Sequence, residues 1–168
     1  MRYIISVLAL IMLLGTLGCQ PQYRDRYDRE YNRYDSYRRD DQYRKLDLNE
    51  VFLRYHNEIR RKCSLTDLQI NADLGRAAQK HAEWMSTCKK SSHLGENESM
   101  VKDRVSGDWR YLGENIAFGY RDESEAMQAW LDSSDHYENI IKREHKYAGF
   151  GVSESGDGTL YWCVVFGS

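Results

Sequence analysis

The chain has 168 residues, enough for one domain and an appendage, and carries 24 Lys+Arg against 26 Asp+Glu. The balance is uneven: residues 46–168 hold 15 basic and 20 acidic side chains, which leaves no basic footprint for nucleic acid. That part is long enough for a two- or three-layer core.

Arg2 and the apolar run from Ile4 to Leu14 are too short to span a membrane and suit a secretory signal over residues 1–18. The run closes Gly15-Thr16-Leu17-Gly18-Cys19, which resembles a bacterial lipobox with Thr16 where leucine is commonest. On that reading Cys19 becomes the first residue and is acylated, and Gln20 fits delivery to an outer membrane. The alternative is a plain signal peptide with an incidental cysteine. Acyl chains on Cys19 make the membrane a partner through an anchor rather than a span.

Residues 19–45 follow as a Tyr/Arg/Asp-rich tether, as in Tyr23-Arg24-Asp25-Arg26-Tyr27-Asp28-Arg29. Tyrosine is its one apolar resource, so a disordered low-complexity segment is the default. Extended, it reaches roughly 90 Å at about 3.4 Å per residue. Tyr23, Tyr27, Tyr31, Tyr34 and Tyr37 with i,i+4 charge pairs also permit a marginal helix with a tyrosine docking face.

Residues 46–168 read as the folded domain. Asp47-Leu48-Asn49-Glu50 forms a capping box, and Leu48, Phe52, Tyr55 and Ile59 recur at helical spacing up to the cations Arg60-Arg61-Lys62. After a connection over Ser64–Ile70, Asn71 caps a second helix whose stripe is Leu74, Ala77, Ala78, His81, Trp84, Met85 and Cys88. Its alanines imply close packing. A loop-rich stretch, 89–112, carries His93 and a short helix near Met100–Val105. Gly113-Glu114-Asn115-Ile116-Ala117-Phe118-Gly119 reads as a strand beside a cleft. A third helix begins at Asp122, and Ser133-Ser134 caps a fourth with His136 in its first turn. Two final strands, 147–153 and 159–166, join through Ser155-Gly156-Asp157-Gly158. Helices early and strands late imply an α+β sandwich around an antiparallel sheet.

With Cys19 lipidated, Cys63, Cys88 and Cys163 remain, so at most one internal disulfide forms. Cys63 and Cys88, each near a helix end, are the preferred pair; three reduced thiols are the alternative.

Several stretches together resemble the CAP superfamily, the cysteine-rich secretory, antigen 5 and pathogenesis-related proteins, called SCP-like in bacteria. They are His56-Asn57-x-x-Arg60, Ala78-Gln79-x-His81-Ala82-x-Trp84-Met85, Ser92-His93, Gly113-Glu114-Asn115-Ile116-Ala117, Ala129-Trp130-x-x-Ser133-x-x-His136, Gly149-Phe150-Gly151-Val152 and Tyr161-Trp162. The resemblance covers about Leu48 to Gly167. It implies a three-layer α-β-α sandwich with an open cleft carrying two histidines and two acids. His93, Glu114 and His136 match three of these, while the second acid falls on Ser133, as in the bacterial type. The ending Tyr161-Trp162-Cys163-Val164 departs from the usual Tyr-Trp-Thr-Gln, and the eukaryotic disulfide set is absent.

Two neutral imidazoles suit zinc or another divalent cation, so His93 and His136 are the metal candidates. Glu114 is the candidate ligand or base, with Ser133 and Asn115 beside it in the cleft. The bland alternative is a polar cluster in which Glu114 bridges His93 and His136. His56 and His81 read as packed core, His145 as solvated, and Trp109 as the one tryptophan to check for a ligand platform. Loss of the second acid argues against catalysis.

The expectation is therefore a monomeric cell-envelope or secreted CAP-domain protein that binds a ligand without acting mainly as an enzyme. Lipid, sterol, peptide and cell-wall ligands are the classes the resemblance implies. The rivals are a metal-dependent hydrolase of peptide or cell-wall substrate, with Glu114 as catalytic group, and a structural envelope-interaction protein.

Overall fold

The computed structural model describes residues 47–168; the expected signal segment, Cys19 and the tether lie outside them. Helix α1 spans Leu48–Lys62 and starts on Asp47, whose side chain accepts from the Asn49 N–H. Strand β1 (Gln69–Ile70) leads into α2 (Ala72–Cys88), capped by Asn71 accepting from the N–H groups of Asp73 and Leu74. A 3₁₀ turn (Glu96–Glu98) and the short α3 (Val101–Arg104) precede β2 (Leu112–Phe118). Then come α4 (Glu123–Asp132), capped by Asp122, and α5 (Ser134–Ile141). The chain closes with β3 (Tyr147–Glu154) and β4 (Leu160–Gly167).

The sheet order is β1-β3-β4-β2. Its three long strands are antiparallel, but β1 pairs parallel with β3, Gln69 opposite Tyr147, so the sheet is mixed rather than purely antiparallel. Two residues with no alternation gave β1 no period to read.

Both faces of β4 are covered, which is why its run is continuously apolar. Tyr161, Cys163 and Val165 pack under α2 with Leu74, Ala78 and Met85. On the opposite face Phe52 of α1 stacks on Phe150 at 5.2 Å and meets Trp130 and Trp162. The close approach expected of the alanines in α2 is completed by glycines in β3. A Cβ on Gly149 would stand 2.0 Å from the Gly75 nitrogen, and one on Gly151 would stand 2.4 Å from that of Gln79. Gln79 in turn pairs its amide with both main-chain groups of Val152, covering the edge that β1 leaves open.

A second fixture holds the far end of the sheet. Arg60 is fully buried, and its guanidinium donates to the carbonyls of Thr66, Ile140, Lys142 and His145 at 2.9 Å each. It thereby satisfies the carbonyls that close α5. His145 is not solvated as expected from its charged neighbours: it is buried and stacks on Phe166 at 5.3 Å. Trp109 is half-buried, lying over Gly167 and edge-on to Tyr147 against the core beneath α2.

The expected Cys63–Cys88 disulfide is not formed. Cys63 Sγ lies 3.5 Å from the Tyr137 hydroxyl, one turn from Arg60 at the beginning of β3. Cys88 adjoins Lys89, which pairs with Asp157 beyond the end of β3. The eight residues of β3 separate those ends by roughly 26 Å, far beyond disulfide reach.

Candidate functional site

Strand β2 is an edge, and the cleft lies along it. The space is about 390 Å³ and open to solvent, lined by Ile116, Ala117 and Phe118 of β2 together with Ser91, His93, Tyr120, Ala129, Trp130, Ser133 and His136. His93 enters from the loop after α2, and His136 from the first turn of α5, so the two imidazoles approach the edge from opposite faces of the sheet.

Glu114 does not line this space. Its side chain is only 4% exposed, withdrawn behind His93, whose Nδ1 stands 2.9 Å from Oε1. The other oxygen, Oε2, takes the Arg104 guanidinium in an ion pair and is 3.7 Å from Cys163 Sγ. The bridge to His136 that the polar-cluster alternative requires is absent among the described residues. The second imidazole at the carboxylate is His81, with Nε2 3.8 Å from Oε1. His81 is buried as expected, stacked on Trp84, and its Nε2 lies 2.8 Å from the Ser92 carbonyl.

These contacts set the charge state. Burial pushes the Glu114 pKa up, but the His93 hydrogen bond, the Arg104 charge and His81 outweigh it, so the carboxyl lies below its ordinary value. An ionised Glu114 receives the Nδ1–H of His93 and turns the opposite ring nitrogen, Nε2, outward. For His136, burial followed by the charge of His93 lowers the pKa, with Asp135 opposing, which favours the neutral ring.

Arg104 is not among the residues the sequence singles out, yet it organises the site. It donates to the carbonyls of His93 at 3.0 Å and Ser99 at 2.6 Å as well as to Glu114, stapling the His93 loop to β2. Asn115 is fully buried rather than facing a ligand. Its amide donates to the His136 carbonyl at 2.9 Å and accepts from Asn139, fixing the start of α5. Ser133 occupies the N-cap position of α5, but its hydroxyl caps nothing and it borders the cleft.

A sandwich with an imidazole-bordered cleft on its edge strand defines the class. The model of the cysteine-rich secretory protein family, CAP, matches residues 53–166, and the chain belongs to that family. An uncharacterised membrane protein of Bacillus subtilis (strain 168), YlbC, is 31% identical over 99 residues, 57% of this chain and 29% of the relative. The chain spans less than half the length of the curated relatives it matches. Among solved structures, an outer surface protein from Borrelia burgdorferi is similar with a TM-score of 0.66 at 22% identity, over 73% of this chain and 96% of that one. An extracellular SCP-domain protein from Bacillus anthracis str. Ames gives 0.59 at 25% identity, over 70% and 39%.

Proposed function

We propose that this is an envelope-facing CAP-domain protein, held at a membrane through acylated Cys19, whose cleft binds a ligand at His93 and His136 without turning it over. The supporting observation is the division of labour at β2: both imidazoles border the cleft, while Glu114 stands behind His93 in an ion pair. Acid–base catalysis uses a proton-transfer group within reach of the ligand, commonly two with separated pKa values. Among the residues bordering the cleft there is no carboxylate. The relatives described as outer surface and extracellular proteins support the location.

The donor chemistry fits a divalent cation of the zinc type held loosely by His93 and His136. Glu114 on His93 Nδ1 is the outer carboxylate that orients a ligating ring and raises its basicity. Bound zinc would polarise a ligand oxygen as a Lewis acid. Two imidazoles fall short of the three protein ligands of catalytic zinc sites, and among the described residues no group of three or more His, Cys, Asp or Glu is gathered for a metal. Exchangeable binding follows from that deficit.

The test is a turnover screen of the full chain, dialysed and zinc-loaded, against capped peptides and peptidoglycan. Flat progress curves are expected in both states. Turnover that zinc restores and Glu114→Gln abolishes would replace this reading with a metal-dependent hydrolase.

A further inference from the structure

The register of β2 shows which of its main-chain groups face the cleft. Tyr111 exchanges two hydrogen bonds with Ser168, and the Gly119 N–H donates to the Leu160 carbonyl. Pairing with β4 therefore falls on the odd-numbered residues, and Glu114, Ile116 and Phe118 direct both their N–H and C=O groups outward. Two of those carbonyls are taken: Asn139 donates to Glu114 at 3.3 Å and the Trp130 indole donates to Ile116 at 3.0 Å. Among the described residues no hydrogen bond reaches the outward N–H groups of Ile116 and Phe118, or the Phe118 carbonyl. Unmet main-chain groups on a strand edge are a template for a further strand.

From this we infer that the cleft binds an extended, uncharged peptide segment, which adds to β2 as an antiparallel fifth strand across Phe118 and Ile116. The inference rests on the ligand-binding reading of the same cleft. A residue opposite Phe118 exchanges two hydrogen bonds with it, and the residue two positions on gives its carbonyl to the Ile116 N–H. The Ile116 carbonyl between those two N–H groups is held by the Trp130 indole, so the peptide residue facing Ile116 contributes its carbonyl alone. Asn139 holds the Glu114 carbonyl beyond and pairing stops there, which leaves a short segment of about three residues at roughly 3.4 Å each. Charge selects the occupant. The bordering side chains are imidazoles, hydroxyls and apolar groups, with no Lys, Arg, Asp or Glu among them, so the site offers no counter-charge to a phosphate or a charged headgroup. An acyl chain would cover the two N–H groups without giving them an acceptor, a net cost. Phe118, 54% exposed and stacked on Tyr161, and Tyr120 at the rim supply an aromatic shelf for an apolar side chain.

The test uses a pool of capped hexapeptides, acetylated and amidated, selected on the full chain and identified by mass. Phe118→Pro removes one outward N–H while leaving the ladder to β4 intact, since proline is tolerated where the N–H of an edge strand faces out. Phe118→Ala keeps that N–H and removes the ring. Selection of apolar peptides is expected, with affinity falling at least ten-fold in Phe118→Pro and less in Phe118→Ala. Methylating the backbone nitrogen of the selected peptide opposite Phe118 should give the same loss on the unaltered chain, independently of how the proline variant folds. No enrichment, equal binding to Phe118→Pro, or insensitivity to N-methylation overturns the inference. So does capture of a dansyl fatty acid that selected peptides do not displace. Zinc uptake reads the imidazole pair separately: a chain that takes up zinc but selects no peptide keeps the metal-assisted site and loses the strand.

Discussion

Two buried cationic clusters flank the beginning of β2, and each handles its guanidinium differently. Arg104 meets a carboxylate, Glu114, with His93 and His81 around it. Arg60 meets four main-chain carbonyls, with His145 adjoining. The first cluster reaches the cleft through a half-exposed imidazole, so on the ligand-binding reading proposed above its charge state is coupled to an occupant. The second is sealed, and its bonds close the ends of α1 and α5 on the sheet. An ion pair can be tuned by pH and ligand, whereas a guanidinium bound to carbonyls acts as a fixed fastener.

The sharpest way to break this contrast is Arg60→Ala. Four carbonyls lose their donor in a buried setting, at about 1 kcal/mol each, so unfolding in urea should show a loss of roughly 4 kcal/mol with little dependence on pH. A change within about 0.5 kcal/mol, the scatter of an ordinary surface substitution, would show that Arg60 fastens nothing.

Arg104→Met should cost roughly 3 kcal/mol at neutral pH, because it strands a buried carboxylate. Here the pH dependence sharpens the comparison. The folded Glu114 pKa lies below its ordinary 4.5, so its contribution is present above that range and is lost as pH falls through the folded value. In the variant the carboxyl protonates more readily, and the cost should shrink below about pH 4. A cost that stays constant from neutral pH down to about pH 3 would contradict the ion pair.

The histidines of the sealed side give a graded effect. Burial lowers His145 to about 4, aided by Lys142 and Arg60, and lowers His56 to about 4. Their unfolded counterparts take up protons near 6.5, so stability is present above that value and falls as pH drops from 6.5 to about 4. Each contributes up to roughly 3 kcal/mol. His145→Phe should remove its share of that acid slope in urea midpoints measured against pH. An unchanged slope would place the proton uptake elsewhere.

How much of this is legible in the sequence follows from the range of the contacts. Asn71 and Asp122 are readable because a cap acts within three residues, and the last hairpin because its turn chemistry is local. His93 and His136 stand out from the stretches around them, and the structure places both at the cleft. The burial of His145 is hidden, since its charged neighbours Arg143, Glu144 and Lys146 point to solvent while Arg60 holds its carbonyl from 85 positions away. Arg104 carries no periodic or motif signal either; only the fold of the loop after α2 brings it to Glu114. The partner of Glu114 is misjudged from sequence for a related reason. The resemblance puts His136 in the same cleft as Glu114, whereas the second imidazole at the carboxylate is His81, delivered by α2.

Calorimetric titration of the full chain with zinc near neutral pH, beside His93→Ala/His136→Ala, tests most directly whether the cleft is a binding site. His93 is 52% exposed and His136 half-buried, so the double substitution should leave stability nearly unchanged. Saturable uptake by the parent chain, abolished in the double variant with its urea midpoint preserved, is the expected result. Uptake that is absent in both, or equal in both, would contradict a ligand site built on His93 and His136.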